Sequence, residues 1–244
     1  MKFLIEKELL HWGDLDFGKK TDTAHMLGGR GTGHFGTGFY FVSKDKWGDF
    51  HYDYNPKRPI YELESSSYNL FKPKSVDEGN TLHDSLKYID SIKGLVNTTK
   101  SSTTLWQEER KLDSNEKIVN FTIKYFGGTE VLDEFTKEIN QGRWGKAEDI
   151  LKQAIREKDE EDAVINNLSK VLSTPKMKMR DLIERAIYKS KQTDNSVGTE
   201  LMKSLGWEGV DTSHLSDQLD DFIYGSVIYD LKPNTFKRIK EPRQ

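Results

Sequence analysis

"GHFGTGFYFVSKDKWGDF", residues 33–50, sets four glycines among six aromatic residues. Glycine lets a backbone bend or approach another group closely, whereas Phe, Tyr and Trp supply flat, stiff surfaces. A wall that receives a flat ligand uses both. Within the stretch, "GTGFYFVS" reads as a β-strand entered through a glycine turn. Toward the N-terminus, "KFLIEKELLHWG" reads as an opening strand, and "RPIYELE", after Pro59, as a third.

From about residue 74 to 205 the texture changes to helical spacing. Apolar residues recur as Val131, Phe135 and Ile139; as Ile150, Leu151, Ala154 and Ile155; as Val164, Leu168, Val171 and Leu172; and as Leu182, Ile183, Ala186 and Ile187. "NSVGTELMKSLGW" closes this section, with Asn195 or Ser196 as the N-cap and Gly206 as the stop. The chain then turns β again: "GVD" as a short strand, "TSHLSDQLDD" as a polar loop, and "FIYGSVIYDL" as a strand ending before Pro233. Because β texture brackets the helices, the expectation is one α+β domain over residues 1–244 with a helical insertion at about 74–205.

Composition limits the function classes. The chain has 244 residues, 34% hydrophobic and 32% charged, enough for a real core under a polar surface. The apolar start is broken by Glu6, Lys7 and Glu8, so it does not read as a signal peptide, and no stretch approaches the ~18 apolar residues of a membrane span. A cytoplasmic protein without a membrane partner is expected. With no cysteine, disulfide and thiolate chemistry are excluded. The six histidines show neither HExxH nor HxH spacing, so no metal is expected. A net charge of −3 argues against a whole-surface nucleic-acid binder but allows a local basic patch.

The chemistry-bearing residues lie at the two β ends: His11-Trp12-Gly13, then Phe35 to Phe41, then Tyr224-Gly225-Ser226-Val227-Ile228-Tyr229-Asp230. Read alone, His11 is an ordinary hydrogen-bonded residue at a strand end, and FGTGFYF a hairpin with core-facing aromatics. Together and in this order, the three segments resemble the NAD-contacting segments of the diphtheria-toxin-like, His-Tyr-Glu class of ADP-ribosyltransferases. "LGWEGVD" resembles a supporting phrase of its bacterial and phage members. The helical middle carries none of the likeness.

The resemblance implies a split β-sheet core and NAD as co-substrate. It places His11, Trp12, Gly13, Arg30, Gly36, Gly38, Tyr40 and Tyr224 against NAD, with Tyr40 stacking on nicotinamide and Phe50 or Tyr52 framing the pocket. Two departures stand out. Trp12 separates His11 from Gly13, and the family's catalytic Glu falls near Gly225, which has no side chain. The expected replacement is Asp220 or Asp221, in the loop entering the last strand, although an acidic pair in a polar loop is usually only solvated. Cleaving the bond between nicotinamide and ribose leaves a ribose cation, which a nearby carboxylate stabilises. "LGGRGTG", residues 27–33, lacks the GK[ST] ending of a phosphate loop and reads as a flexible lead-in over NAD.

The basic segment 174–192 carries Lys176, Lys178, Arg180, Arg185, Lys189 and Lys191. It reads as a solvated face, as a partner for the acidic "EKDEEDA" before it, or as a landing surface for nucleic acid or an acidic protein. The implied function is transfer of ADP-ribose from NAD to a macromolecular acceptor, protein or nucleic acid, by a toxin or phage-encoded effector. An NAD glycohydrolase and a catalytically inactive binding module are the other readings.

Overall fold

A computed structural model describes residues 8–12, 35–44, 59–92, 94–95, 99–126, 130–193, 195–215 and 226–239, with backbone alone for Trp12 and Glu130. Strands β1 (Leu9–Trp12), β2 (Phe39–Ser43), β3 (Ile60–Leu63) and β4 (Leu70–Phe71) precede the helices, and β5 (Gly209–Asp211), β6 (Ser226–Ile228) and β7 (Phe236–Ile239) follow them. All belong to one seven-stranded sheet of order β4-β5-β6-β2-β1-β3-β7. The fold is α+β, and the β-rich ends of the chain meet in this sheet. Among the described strands only β4 and β5 run parallel. Parallel neighbours require a crossover, and here the crossover is the whole helical section.

The sheet narrows between β1 and β2, which share two residue pairs, Leu9 with Ser43 and Leu10 with Val42. Strands β1 and β3 share four.

The helices are α1 (Val76–Ser91), α2 (Ser102–Glu109), α3 (Asn115–Phe126), α4 (Glu130–Asn140), α5 (Trp144–Val171), α6 (Lys176–Thr193) and α7 (Val197–Ser204). Serine hydroxyls cap four of them: Ser75 accepts from Glu78 N–H, Ser101 from Thr104 N–H, Ser114 from Lys117 N–H and Ser196 from Thr199 N–H. Gly206, at φ +86°, adopts the left-handed conformation just past α7 that glycine tolerates without a Cβ penalty. The two apolar patterns between residues 150 and 172 fuse into α5. The intervening "REKDEED" contains no breaker, and 28 residues of helix span about 42 Å.

The helical section serves two cores. One packs Leu82, Leu86, Ile165, Leu168, Ile183 and Leu201 against Tyr40, Phe71, Val210 and Val227 of the sheet. The second is purely helical: Leu105, Phe121, Phe126, Phe135, Leu151 and Ile155. Helix α5 contributes to both. Between its two apolar stretches lies Lys158, 1% exposed, 2.6 Å from Asp162 and 3.5 Å from Glu161. Arg180 of α6 joins at 2.9 Å from Glu161 and 3.1 Å from Asp162, so the acidic run and the basic helix do meet. A buried lysine needs such partners, because unpaired charge in a low-dielectric interior is costly.

Phe135 is 1% exposed in the second core. Phe135→Ala should lower unfolding free energy by about 3–5 kcal/mol in urea titration, since the helices around it cannot refill a phenyl-sized cavity.

Candidate functional site

The glycine turn that leads into β2 is held from two directions. From one side, Tyr40 Oη donates to Gly36 O at 2.7 Å and accepts from Phe35 N–H at 3.1 Å. Tyr229 Oη donates to Phe35 O at 3.1 Å. From the other, the N-terminus of α7 grips Thr37: its N–H donates to Thr199 Oγ1 at 2.7 Å, Thr199 Oγ1 donates back to Thr37 O at 3.0 Å, and Ser196 N–H donates to Thr37 Oγ1 at 3.0 Å. Asp90 of α1 steadies α7 by accepting from Gly198 N–H at 2.8 Å. Burial pushes the Tyr40 and Tyr229 phenols well above the ordinary tyrosine range, with the Asp90 charge adding to it, so both stay neutral hydrogen-bonding groups.

This packing changes the roles expected for Tyr40, Gly36 and Gly38. Side chains alternate across a strand, and Tyr40 pairs with Val227 on the face that the helices cover. Its ring, 5% exposed, belongs to the main core. His11 lies on the other face, its imidazole 5.4 Å from the Phe41 ring. The Tyr40 ring therefore does not stand beside His11, and stacking on nicotinamide does not fit its position. A Cβ at Gly36 would come 2.4 Å from Thr199 Oγ1, and one at Gly38 would come 2.6 Å from Val227 Cγ2. The close approach these glycines permit is to the protein's own α7 and β6.

What the three segments do share is the sheet itself. β6, β2 and β1 are consecutive strands. Where β1–β2 pairing ends, the His11 side chain continues it: Nδ1–H donates to Tyr40 O at 2.7 Å. A carbonyl only accepts, so the proton sits on Nδ1. Residues paired across antiparallel strands share a face. Asp211 pairs with Ser226, Ser226 with Phe41, His11 with Tyr61 and Tyr61 with Arg238, while the β1–β2 register sets His11 opposite Phe41. One row thus crosses six strands: Asp211, Ser226, Phe41, His11, Tyr61, Arg238. It lies on the face away from the helices, among the smaller apolar cluster of Leu9, Phe41, Leu63, Leu70 and Ile228. On the same face Ser43 Oγ is buried and has no hydrogen-bond partner among the described residues.

Asp211, 4% exposed, anchors one end of the row. Its Oδ1 accepts from Ser226 Oγ at 2.7 Å and from Ser213 N–H at 2.9 Å. Its Oδ2 faces Lys72 Nζ at 3.5 Å. Asp211 and Ser226 lie within segments that the sequence singles out but carry no role of their own there, because each looks like an ordinary strand residue. The signal was the pairing of "GVD" with "GSV", which needs the sheet register.

Gly13, Arg30, Phe50, Tyr52, Asp220, Asp221, Tyr224 and Gly225 lie outside the described residues. Among the described residues no group of three or more His, Asp or Glu side chains is arranged to hold a metal, and no helix is long and apolar enough to cross a membrane. Compared with protein-family models, curated proteins and solved structures, the chain matches none of them.

Two variants check the grip on the turn. Gly38→Ala should cost about 1–3 kcal/mol, measured by denaturant unfolding, because the methyl meets both Val227 and the Ile228 carbonyl at 2.7 Å. Glu200, buried in the first turn of α7, is pushed up by burial. Hydrogen bonds from Asn195, Lys189 and Thr193 outweigh that and hold its carboxyl below the usual 4.5. A depressed folded value means its stabilisation is full above the unfolded value and disappears as pH falls through the folded one. Glu200→Gln should therefore flatten the loss of melting temperature on acidification below about pH 4.5; an unchanged acid slope would show that Glu200 has no part in it.

Proposed function

We propose that this chain is an NAD-dependent mono-ADP-ribosyltransferase that moves ADP-ribose to a macromolecular acceptor. The supporting observation is adjacency. The three segments that resemble the NAD-contacting elements of the diphtheria-toxin-like class form the consecutive strands β6, β2 and β1, although residues 12 to 226 separate the outer two. On this reading NAD lies along the row on the face of that trio away from the helices, with the His11 imidazole fixed by the Tyr40 carbonyl and presented to a ribose hydroxyl. Tyr61, half-buried in the same row, provides the aromatic surface on that face, in place of Tyr40.

Chemically, the carbon–nitrogen bond between ribose and nicotinamide breaks with its electron pair leaving on nicotinamide, and the ribose carbon becomes cationic. An acceptor nucleophile then bonds to that carbon and releases its proton to solvent. Orientation by His11 lowers the entropic part of the barrier, and a nearby carboxylate lowers the electrostatic part. By family analogy the setting is the cytoplasm of a cell attacked by a toxin or phage effector.

The test is to mix the protein with NAD and measure released nicotinamide, then repeat with labelled NAD and total cell lysate. Label that survives nuclease and disappears with protease marks a protein acceptor; the reverse marks a nucleic acid. Nicotinamide release without label transfer identifies a glycohydrolase. No release under any condition overturns the enzyme and leaves the binding module, a reading that Gly225 and the buried Tyr40 ring favour.

A further inference from the structure

We infer that Asp211 supplies the carboxylate that faces the nicotinamide ribose, in place of the side chain absent at Gly225. This rests on the NAD reading above and adds a residue to it. Asp211 comes from the neighbouring strand: its backbone partner is Ser226, and Ser226 Oγ donates to it at 2.7 Å. A carboxylate brought from β5 thus sits beside the start of β6.

Three observations fit a charge-stabilising role. First, Asp211 shares a face with His11, in the same cross-strand row. Three strand spacings separate them, on the order of 14 Å. That is the scale of a molecule with two riboses joined by a pyrophosphate, so one ribose can meet His11 while the other meets Asp211. Second, the carboxylate is held before any substrate arrives. Ser226 Oγ and Ser213 N–H both bond to Oδ1, which locks the group's rotation and leaves Oδ2 with the Lys72 ammonium at 3.5 Å, beyond the usual length of a good hydrogen bond. A fixed charge in a site shielded from water stabilises a developing cation far better than a mobile, hydrated one. Third, Asp211 is 4% exposed, and on the β5–β6–β2 part of this face it is the acid that the register brings into line with Ser226 and Phe41.

In the step itself Asp211 forms no covalent bond. The nicotinamide leaves with the electron pair of the broken bond, which neutralises its ring nitrogen. The ribose carbon carries the positive charge opposite Oδ2. Water or the acceptor hydroxyl or amine then bonds to that carbon and loses one proton to solvent, so ADP-ribose is transferred and the Asp211 carboxylate is unchanged.

Asp211→Asn keeps the shape and removes the charge. It should melt as a folded protein, bind NAD within about threefold of the parent in calorimetry, and release nicotinamide ~100-fold more slowly or worse. Ser226→Ala provides a second reading, and decides alone if Asp211→Asn does not fold. It keeps the carboxylate and its Ser213 bond but frees its rotation, so kcat per folded molecule should fall ~10-fold with NAD affinity unchanged. A merely structural Asp211 would lower the melting temperature in both variants and leave kcat per folded molecule intact, and that result overturns the assignment. A parent protein that releases no nicotinamide overturns the NAD reading itself, a different outcome from a parent that turns over while both variants keep pace with it.

Discussion

Thr37 and the first turn of α7 hold each other through backbone and hydroxyl hydrogen bonds across a sequence separation of roughly 160 residues. That contact joins the glycine turn before β2 to the last helix before β5. It satisfies two needs at once. The exposed N–H groups of a helix start require acceptors, and a tight turn requires its polar backbone groups to be paired. Gly36 and Gly38 make it sterically feasible, because any side chain there would occupy the space of Thr199 or Val227. With the turn locked, Tyr40 points into the helix-covered core and Phe41 to the opposite face, which determines the side of the sheet that His11 shares.

The helical section is built into the main core as well as adding a second one. α1, α6, α7 and the C-terminal part of α5 cover the sheet, while α2, α3, α4 and the N-terminal part of α5 form their own apolar centre. The charged node of Lys158, Glu161, Asp162 and Arg180 lies where α5 passes from one to the other. Breaking one partner of such a node leaves an uncompensated buried charge, which costs far more than an exposed pair contributes. The node therefore favours one arrangement of α6 on α5. It also accounts for part of the charge on the basic helix: Arg180 is engaged there, and Lys189 pairs with Glu200 at 2.8 Å.

On the face away from the helices, polar groups are placed by strand register rather than by loops. His11 closes the end of a short β1–β2 ladder with its own side chain, and Asp211 is tied to β6 through Ser226. Groups on paired strands keep their spacing to within the flexibility of the sheet, which is the rigidity the proposed NAD site requires. The β1–β2 ladder has two residue pairs, and His11 extends it with a bond to the Tyr40 carbonyl.

Local sequence by itself determined the class of the fold and most of its parts. Alternating and aromatic residues placed β2 and β3, the "GVD" strand and the strand containing Ser226; helical spacing placed α4, α6 and both halves of α5; Asn195 or Ser196, and Gly206, marked the ends of α7, and the structure selects Ser196. These signals are local, so one chain segment suffices to read them. Strands β4 and β7 escaped notice because "LF" is too short for a pattern and "FKRI" is half charged; each becomes a strand only by pairing with β5 or β3. Tertiary structure alone decided which face each side chain occupies. His11 and Tyr40 both sit in strands and both look like ligand residues, yet a two-residue alternation and the β1–β2 register send them to opposite sides of the sheet. The same register brings Asp211 alongside Ser226, a juxtaposition that no spacing along the chain encodes, because it depends on which strands become neighbours.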